Sequence, residues 1–454
     1  MQTFKRTVIG SAIALSLLSA GTSLAAVSAD QAARLGGELT PIGAEKAGNG
    51  DAIPAWDGGL TTPPVKQPQQ GIYPDPFPGD ERLLVIDQSN VDQYQDKLSP
   101  GQVATIKTYS DYFIPVYQTR RTAAYPEFMT AKAKANATQV SLTANGNGLQ
   151  NYETGVPFPI PQSGVEVIFN HITRYRGGSI VRNVAQVTPQ ANGDFSAVKF
   201  TEYLTDRVAL EDYEAGVDDN VMFYFKQVIT APSRLAGNVL LVHETLDQVK
   251  EPRRAWLYNS GQRRVRRAPQ VAYDGPGTAA DGQRTSDNLD LYNGAPDKYT
   301  WELVGKKEMY IPYNSYKLSD PELSYDEIIQ PGHINQELTR YELHRVWHVR
   351  ATLKDGERHI YAKRDFYVDE DSWQIAVVDH YDGRGQLWRV AESHMVQGYD
   401  IGVPSYAAET LYDLLSGRYL VMGLTNEEDD PYTFGVKARS NEFTPAALRR
   451  AGVR

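Results

Sequence analysis

The fold is decided by residues 341–390, which read YELHRVWHVRATLKDGERHIYAKRDFYVDEDSWQIAVVDHYDGRGQLWRV. The first strand of this stretch alternates at period two, and its apolar face carries Tyr341, Leu343, Trp347, Val349, Ala351 and Leu353. Turns rich in Asp and Gly, at residues 354–357, 369–371 and 382–385, separate that strand from three more. Such alternation between tight turns predicts an antiparallel meander with one buried face.

The rest of the chain adds strands and a few short helices to this meander. Further strands are predicted at residues 165–176, 179–188, 195–205, 222–230, 237–246, 254–259, 263–268 and 301–310. Helices are predicted at residues 28–36, 89–97, 99–110, 126–138, 321–329 and 444–450. The third of these begins with a capping box, in which Ser99 and Gln102 flank Pro100 at the first helical position. We therefore expect a mostly β (α+β) protein, with a large curved antiparallel sheet that wraps a few helices.

Composition and charge narrow the class of protein. The 454 residues are 41% hydrophobic and 22% charged, which is typical of a globular protein. A formal net charge of −10 gives no electrostatic footprint for nucleic acid. The chain has no cysteine, so we expect neither a disulfide nor the lipidated cysteine of a bacterial lipoprotein.

The first residues have the pattern of an export signal. Lys5 and Arg6 precede an apolar run at residues 8–18, and residues 23–25 form a small-x-small cleavage site. We expect a signal peptide over residues 1–25, cleaved near Ala25, and a soluble, non-lipidated protein in a Gram-negative periplasm. Residues 26–150 are expected to form an extension of loops and helices that packs on the sheet. Residues 151–425 would then be the β domain and residues 426–454 a C-terminal tail.

Tryptophans and arginines are the candidate binding residues. The tryptophans could line an apolar cavity for an acyl or sterol-like ligand, and they could equally fill the core of the sheet: Trp256, Trp301, Trp347, Trp373 and Trp388. Arginines cluster around the turn at residues 259–261 of an otherwise acidic chain: Arg253, Arg254, Arg263, Arg264, Arg266 and Arg267. The last four are candidates to bind an anionic head group or to dock an acidic partner. The alternative is that these arginines pair with carboxylates on neighbouring strands.

The sequence gives little support for a metal site or a catalytic site. His344 and His348 lie on one strand, where four residues span about 13 Å, so they cannot share a metal ion. The acidic turn at residues 369–371 could bind calcium, although such turns are more often merely solvated. The chain has no GxSxG motif and no cysteine nucleophile. We predict no catalytic residue, no metal site and no cofactor, while pairs of acidic residues leave an exported hydrolase open as a third hypothesis.

Four long motifs resemble one bacterial family. They lie at residues 39–60, 157–177, 255–269 and 340–353, the last followed by DFYVDEDSW at residues 365–373. Over nearly the whole mature chain the sequence resembles the family named "domain of unknown function 1329". That family is similar in fold to the periplasmic lipoprotein carriers LolA and LolB. The resemblance implies a half-barrel sheet that wraps helices and holds acyl chains, although the long N-terminal extension could fill part of the cavity.

The resemblance also implies partners. Family members are usually encoded beside an outer-membrane protein and an inner-membrane permease of the lipid-exporter type. The resulting hypothesis is a non-enzymatic periplasmic carrier or adaptor for lipids or other hydrophobic molecules between those two partners. The alternative is a periplasmic interaction or scaffold protein whose cavity is filled by its own chain and which docks a membrane transport complex.

Overall fold

A computed structural model describes residues 26–62, 66, 69–268, 271 and 273–452. The predicted signal peptide, residues 1–25, lies outside the described residues. Within the described part of the chain, every helix is too short or too polar to cross a membrane.

Strands dominate the described residues, as the sequence predicts. They are β1 Leu84–Ile86, β2 Ile114–Val116, β3 Ser141–Leu142, β4 Leu149–Gln150, β5 Ser179–Val187, β6 Val198–Asp206, β7 Val221–Ala231, β8 Val239–Thr245, β9 Arg254–Asn259, β10 Arg264–Arg267, β11 Tyr299–Pro312, β12 Tyr341–Leu353, β13 Lys363–Asp369, β14 Ile375–Tyr381, β15 Leu387–Gly398, β16 Val403–Asp413, β17 Arg418–Leu424 and β18 Tyr432–Phe434.

The helices are short and flank the strands. The α-helices are α1 Ala29–Ala32, α2 Pro100–Thr108, α3 Glu127–Gln139, α4 Gly164–Ile172, α5 Tyr325–Ile328 and α6 Pro445–Ala451. Short segments of 3₁₀-helix lie at Val91–Gln93, Gln95–Lys97, Arg207–Ala209, Ser286–Leu291, Tyr316–Ser319, Gln336–Leu338 and Ser440–Phe443. The predicted capping box of α2 is confirmed, because Ser99 Oγ accepts from the Gln102 amide and Gln102 Oε1 accepts from the Ser99 amide, both at 3.0 Å.

One 16-stranded curved sheet contains all of these strands except the small β3–β4 pair. Its order is β1-β2-β12-β13-β14-β15-β16-β17-β5-β6-β7-β8-β9-β10, with β11 along the free side of β12 and β18 on β5. The pairing is antiparallel apart from a parallel contact between Tyr341 and Val116. The predicted meander from β12 to β15 and the predicted curved antiparallel sheet are confirmed. The sheet is not closed, and β10 is the last strand on one side.

The predicted strand at residues 165–176 is wrong, because most of this segment is the helix α4. Its apolar residues Val165, Ile168 and Ile172 recur at helical spacing, but a short run rich in β-branched residues also fits a buried strand. Tertiary contacts stabilise the helical conformation of this segment. The side chain of Asn170 hydrogen-bonds both the amide and the carbonyl of Phe158, at 2.9 and 2.7 Å, and α4 packs on β11 and β12.

The meander half, β11 to β17, is covered on both faces. On one face, α4 and the insertion loop (residues 273–298) form a core with the strands: Val167, Ile168, Ile172, Leu291, Tyr292, Val349, Phe366, Val378, Ala391 and Leu411. On the other face lies α2, where Ser99 Oγ donates to Asp379 Oδ1 at 2.8 Å and Gln102 Nε2 donates to Glu392 Oε1 at 3.0 Å. We expected one buried face, and the structure buries both because segments far away in sequence pack against the polar one.

The N-terminal extension also packs on the meander half. The indole Nε1 of Trp373 donates to the carbonyl of Ile42 at 3.0 Å, and Ile53 lies in the core that contains α2. Tyr125 Oη donates to the carbonyl of Ser372. The described part of the extension therefore covers β12 to β15.

Among the described residues, the open wing, β7 to β10, is packed closely on only one face. There the C-terminal residues Phe443 and Leu448 pack against Val221, Val239 and Leu241. The opposite face presents a second apolar cluster: Phe223, Phe225, Val242 and Ala255. That cluster faces a cavity.

Candidate ligand-binding cavity

The cavity has a volume of about 760 Å³ and lies between the open wing and the insertion loop. Strand alternation builds its wall, because successive side chains point to opposite faces of a sheet. From β7 it takes Phe223, Phe225, Gln227 and Ile229, and from β8 it takes Leu240, Val242 and Glu244. The insertion loop supplies Pro276, Gly277, Thr278, Arg284, Ser286 and Leu289.

The wall is mostly apolar. Leu257 of β9 also lines the cavity, and 46% of its surface is exposed, which is high for a leucine on a strand inside the sheet. Its neighbour across the pair is Arg266 of β10. Apolar surface of this kind gains free energy when a ligand removes it from water, at about 25 cal/mol per Å².

Three of the four arginines singled out from the sequence line this cavity. Arg264, Arg266 and Arg267 belong to its rim, whereas Arg263 lies in the preceding turn with φ of 52°. All four are exposed, and none forms an ion pair with another described residue. The alternative, pairing with carboxylates on neighbouring strands, holds in the described structure for Arg253, which pairs with Glu244 of β8, while Arg254 pairs with Glu251 just before its own strand.

The one carboxylate in the wall is neutralised by an arginine. Arg253 Nε lies 2.8 Å from Glu244 Oε2, and both side chains are buried. Burial raises the pKa of Glu244, and the adjacent Arg253 guanidinium opposes that rise. Arg253 also donates to the carbonyl of Asn293 in the insertion loop, so this pair ties the insertion loop to β8.

Arg284 is a wall residue that the sequence did not reveal. Its side chain is buried, with 8% of the residue exposed, yet it makes no hydrogen bond or ion pair with any described residue. A β-carbon on Gly277 would lie only 2.9 Å from Arg284 Nε, so a larger residue there would displace the guanidinium. Burial lowers the pKa of Arg284, although an arginine remains protonated in proteins. A single arginine in a loop carries no sequence pattern that marks it as buried.

The five tryptophans do not line the large cavity. Trp301, Trp347 and Trp373 belong to the core under α4, where the Trp347 and Trp373 rings stack at 6.3 Å. Trp388 Nε1 donates to Asp413 Oδ2 at 2.9 Å, and Trp256 lies edge-on to His243 at 4.9 Å. The wall of this cavity is built by the opposite face of β9 and by β7 and β8, while Trp347 borders a separate pocket with Leu39 and Ile160. The role of the tryptophans as ligand-binding residues stays a prediction.

The histidines and the acidic turn belong to ion-pair networks. His344 Nε2 lies 3.0 Å from Glu342, and His348 Nε2 lies 2.8 Å from Asp365, so the two imidazoles have different partners. The turn at residues 369–371 was expected to be solvated, and this is wrong because all three carboxylates are buried.

The acidic turn is held by cations. Arg121 bonds both oxygens of Asp371, at 2.8 and 2.7 Å, and Lys306 Nζ lies 2.7 Å from Glu370. Ligand atoms of His344, Asp369 and Asp371 lie within 4.8 Å of one another. Burial and the neighbouring Asp371 raise the pKa of Asp369 to about 7. With Arg121 already bonded to Asp371, we assign the group to the ion-pair network rather than to a metal.

The sequence of the chain matches a known family over most of its length. Residues 85–449 match the family described as "Protein of unknown function (DUF1329)". The chain belongs to this family. The resemblance indicated by the four motifs is thereby confirmed. This chain is similar to the uncharacterized protein PA3922 of Pseudomonas aeruginosa. The two are 64% identical over 456 residues, and the alignment covers 100% of both chains.

Solved structures with a similar fold share little sequence with this DUF1329 protein. A putative outer membrane lipoprotein-sorting protein domain from Vibrio parahaemolyticus is 14% identical, with a TM-score of 0.42, covering 61% of this chain and 94% of that one. A DUF1329 family protein from Desulfovibrio piger is 14% identical, with a TM-score of 0.41, covering 60% and 92%. A LolA superfamily protein from Nitrosomonas europaea is 13% identical, with a TM-score of 0.37, covering 63% and 98%.

Proposed function

We propose that this DUF1329 protein is a non-enzymatic carrier or adaptor that shields a hydrophobic molecule in the cavity of its open wing. The observation that carries the proposal is the apolar cavity of about 760 Å³, which the described residues leave unfilled. Its volume lies within the roughly 300–1,000 Å³ that is usual for sites of small ligands. One side of its wall is formed by β7, β8 and β9, which are paired strands of the large sheet.

The alternative, an interaction protein whose cavity is filled by its own chain, has less support. The described residues of the N-terminal extension pack on the meander half, and those that line the large cavity all come from residues 223–289. The apolar wall therefore lacks an occupant from the described part of the extension. A carrier gives this apolar surface a function, whereas a scaffold leaves it exposed at a cost in free energy.

In this proposal the carrier works in the periplasm, between an inner-membrane permease of the lipid-exporter type and an outer-membrane protein. The export-signal pattern of residues 1–25 supports the compartment. The resemblance to the DUF1329 family supports the two partners. No covalent chemistry is assigned to the protein, because the cavity wall offers shape and charge for binding rather than a nucleophile with an adjacent base.

Native mass spectrometry of protein purified from periplasm without detergent tests this proposal. We expect a discrete apolar adduct that organic extraction removes, and we expect the extracted protein to bind decanol. A clean apo mass together with no decanol binding would overturn the carrier.

A matched pair of variants tests whether decanol binds in this cavity. Leu257 lines it and Val304 of β11 does not, although the two side chains are similarly exposed, at 46% and 43%. Leu257→Asp should weaken decanol binding by about tenfold or more, which corresponds to about 1.4 kcal/mol of lost apolar contact and added charge desolvation. Val304→Asp should leave binding unchanged, and equal losses in the two variants would place the ligand elsewhere.

A further inference from the structure

The cavity wall contains a buried cation without a counter-ion. Arg284 lines the cavity, and neither an ion pair nor a hydrogen bond joins its guanidinium to any other described residue. Buried arginines are nearly always paired, since an isolated charge loses its hydration without compensation. Arg253, which lines the same cavity, follows that rule through Glu244.

The loop that carries Arg284 is fixed on both sides. Arg389 of β15 donates to the carbonyls of Gln283 and Gly282, at 2.8 and 3.0 Å. Gln186 of β5 donates to the carbonyl of Ala279 at 2.6 Å. The backbone on both sides of Arg284 is therefore held by contacts to two strands, which helps to pre-organise a binding group at this position.

The charge around the cavity favours an anion. Its wall holds five arginines, Arg253, Arg264, Arg266, Arg267 and Arg284, against the single carboxylate of Glu244, in a chain of net charge −10. Glu409 and Glu202 are the carboxylates that most affect Arg284, but Glu202 already bonds Arg182 and Gln227. Glu409 does not line the cavity, and burial together with the neighbouring Asp290 raises the pKa of its carboxyl group.

Protection of a sheet edge explains the rim arginines but not Arg284. Charged residues on an edge strand prevent pairing with other chains, and β10 is the last strand on its side of the sheet. Arg284 lies in the insertion loop, away from that edge, and it is buried. A different reason is needed for a cation at this position.

We infer that the occupant of the cavity is an anionic amphiphile whose carboxylate or phosphate binds the Arg284 guanidinium while its apolar chain lies along β7, β8 and β9. The planar guanidinium suits two oxygens of one oxyanion, and Phe225, Val242 and Leu257 provide the apolar wall. The rim arginines attract the anion to the entrance. This inference rests on the proposed function and adds the chemistry of the ligand's polar end.

Binding of matched probes by calorimetry tests the inference. Decanoate, decyl phosphate and decanol share one apolar chain and differ in charge, and inorganic phosphate has the charge without the chain. The wild-type protein should bind both anionic amphiphiles at least about tenfold more tightly than decanol. Inorganic phosphate bound as tightly as decyl phosphate would identify a simple phosphate site instead.

Variants locate the anion. Arg284→Gln should reduce decanoate affinity about tenfold while leaving decanol affinity unchanged, and Arg284→Lys should keep part of the affinity because the charge remains. Arg263→Gln, at an exposed arginine that does not line the cavity, is the charge control and should change neither. Gly277→Ala keeps the charge but crowds the guanidinium, so it should also weaken decanoate binding.

The outcomes separate the two proposals. Equal binding of decanoate by wild type and by Arg284→Gln, with both proteins folded by near-ultraviolet circular dichroism, would overturn the anion site. Decanol bound as tightly as decanoate would also overturn it while leaving the carrier intact. Failure of the wild-type protein to bind any of the three amphiphiles would overturn the proposed function itself.

Discussion

The meander half and the open wing are parts of the same sheet, and they differ in what covers them. In the meander half, α2 lies on one face and α4 with the insertion loop on the other. In the open wing, the C-terminal residues cover one face only, and the opposite face borders the cavity. Both halves have apolar strands, so strand sequence alone does not make a binding site. The site arises where none of the described segments completes the packing.

The largest expected difference between the two halves is in the free energy of unfolding that is lost when a phenylalanine is replaced by alanine. Phe366 is fully buried in the meander half, and Phe225 is buried in the wall of the cavity. Phe366→Ala should lower the free energy of unfolding by about 3–5 kcal/mol. Phe225→Ala should cost about half as much, because its atoms that face the cavity have few contacts to lose. Urea unfolding of both variants measures the difference, and equal losses would mean that the wing is packed as completely as the meander.

A smaller difference between the two halves is expected in the free energy of unfolding that is lost when an arginine is replaced by methionine. Arg121→Met leaves Asp371 buried without its bidentate partner, so we expect a loss of about 3 kcal/mol in the free energy of unfolding. Arg266→Met removes an exposed arginine with no ion pair in the described structure and should change stability by less than about 0.5 kcal/mol. Chemical denaturation at low salt measures both. A large loss for Arg266→Met would reveal a structural role for the rim.

Stability should also depend on pH through a buried carboxyl in the meander half. Burial raises the pKa of Asp379 from 3.8 to about 7, although Ser99 and the Gly101 amide oppose the rise. Between these two values the unfolded chain is ionised while the folded chain keeps the proton, so stability falls as pH rises from about 4 to 7 and then levels off. Asp379→Asn should flatten this part of the profile of thermal unfolding.

The exposed Asp355 provides the control for that experiment. Asp355→Asn should leave the slope between about pH 4 and 7 as it is in the wild-type protein. If both substitutions flatten the profile equally, the titrating group is not Asp379.

The smallest effect on stability is expected at the rim of the open wing. Replacing Arg264, Arg266 and Arg267 together by Gln should leave the free energy of unfolding within about 1 kcal/mol of wild type, because each is exposed. The same variant should slow the association of decanoate and weaken its dependence on salt, since these charges attract the anion over a distance. Stopped-flow binding at two ionic strengths measures this, and an unchanged association rate would remove the rim from the binding mechanism.

Local sequence patterns were sufficient to predict many of the strands and helices, but they did not predict how these elements pack. Period-two alternation and tight turns predicted β12 to β15, and the capping box predicted the start of α2. Residues 165–176 were mispredicted because a short β-branched run fits both a strand and a buried helix. The rim arginines were found because they cluster in sequence, whereas Arg284 stands alone in a loop and gave no signal.

The sequence by itself therefore determined the strand-rich class, the meander, the export pattern and membership in DUF1329, since all of these follow from short-range patterns or from long motifs that are continuous in the chain. Only the tertiary structure decided that the acidic turn at residues 369–371 is buried, that the five tryptophans lie outside the lining of the large cavity, and that Arg284 faces that cavity. The physical reason is that burial and charge pairing depend on segments hundreds of residues apart, such as Arg121 with Asp371, and periodicity describes only neighbours along the chain.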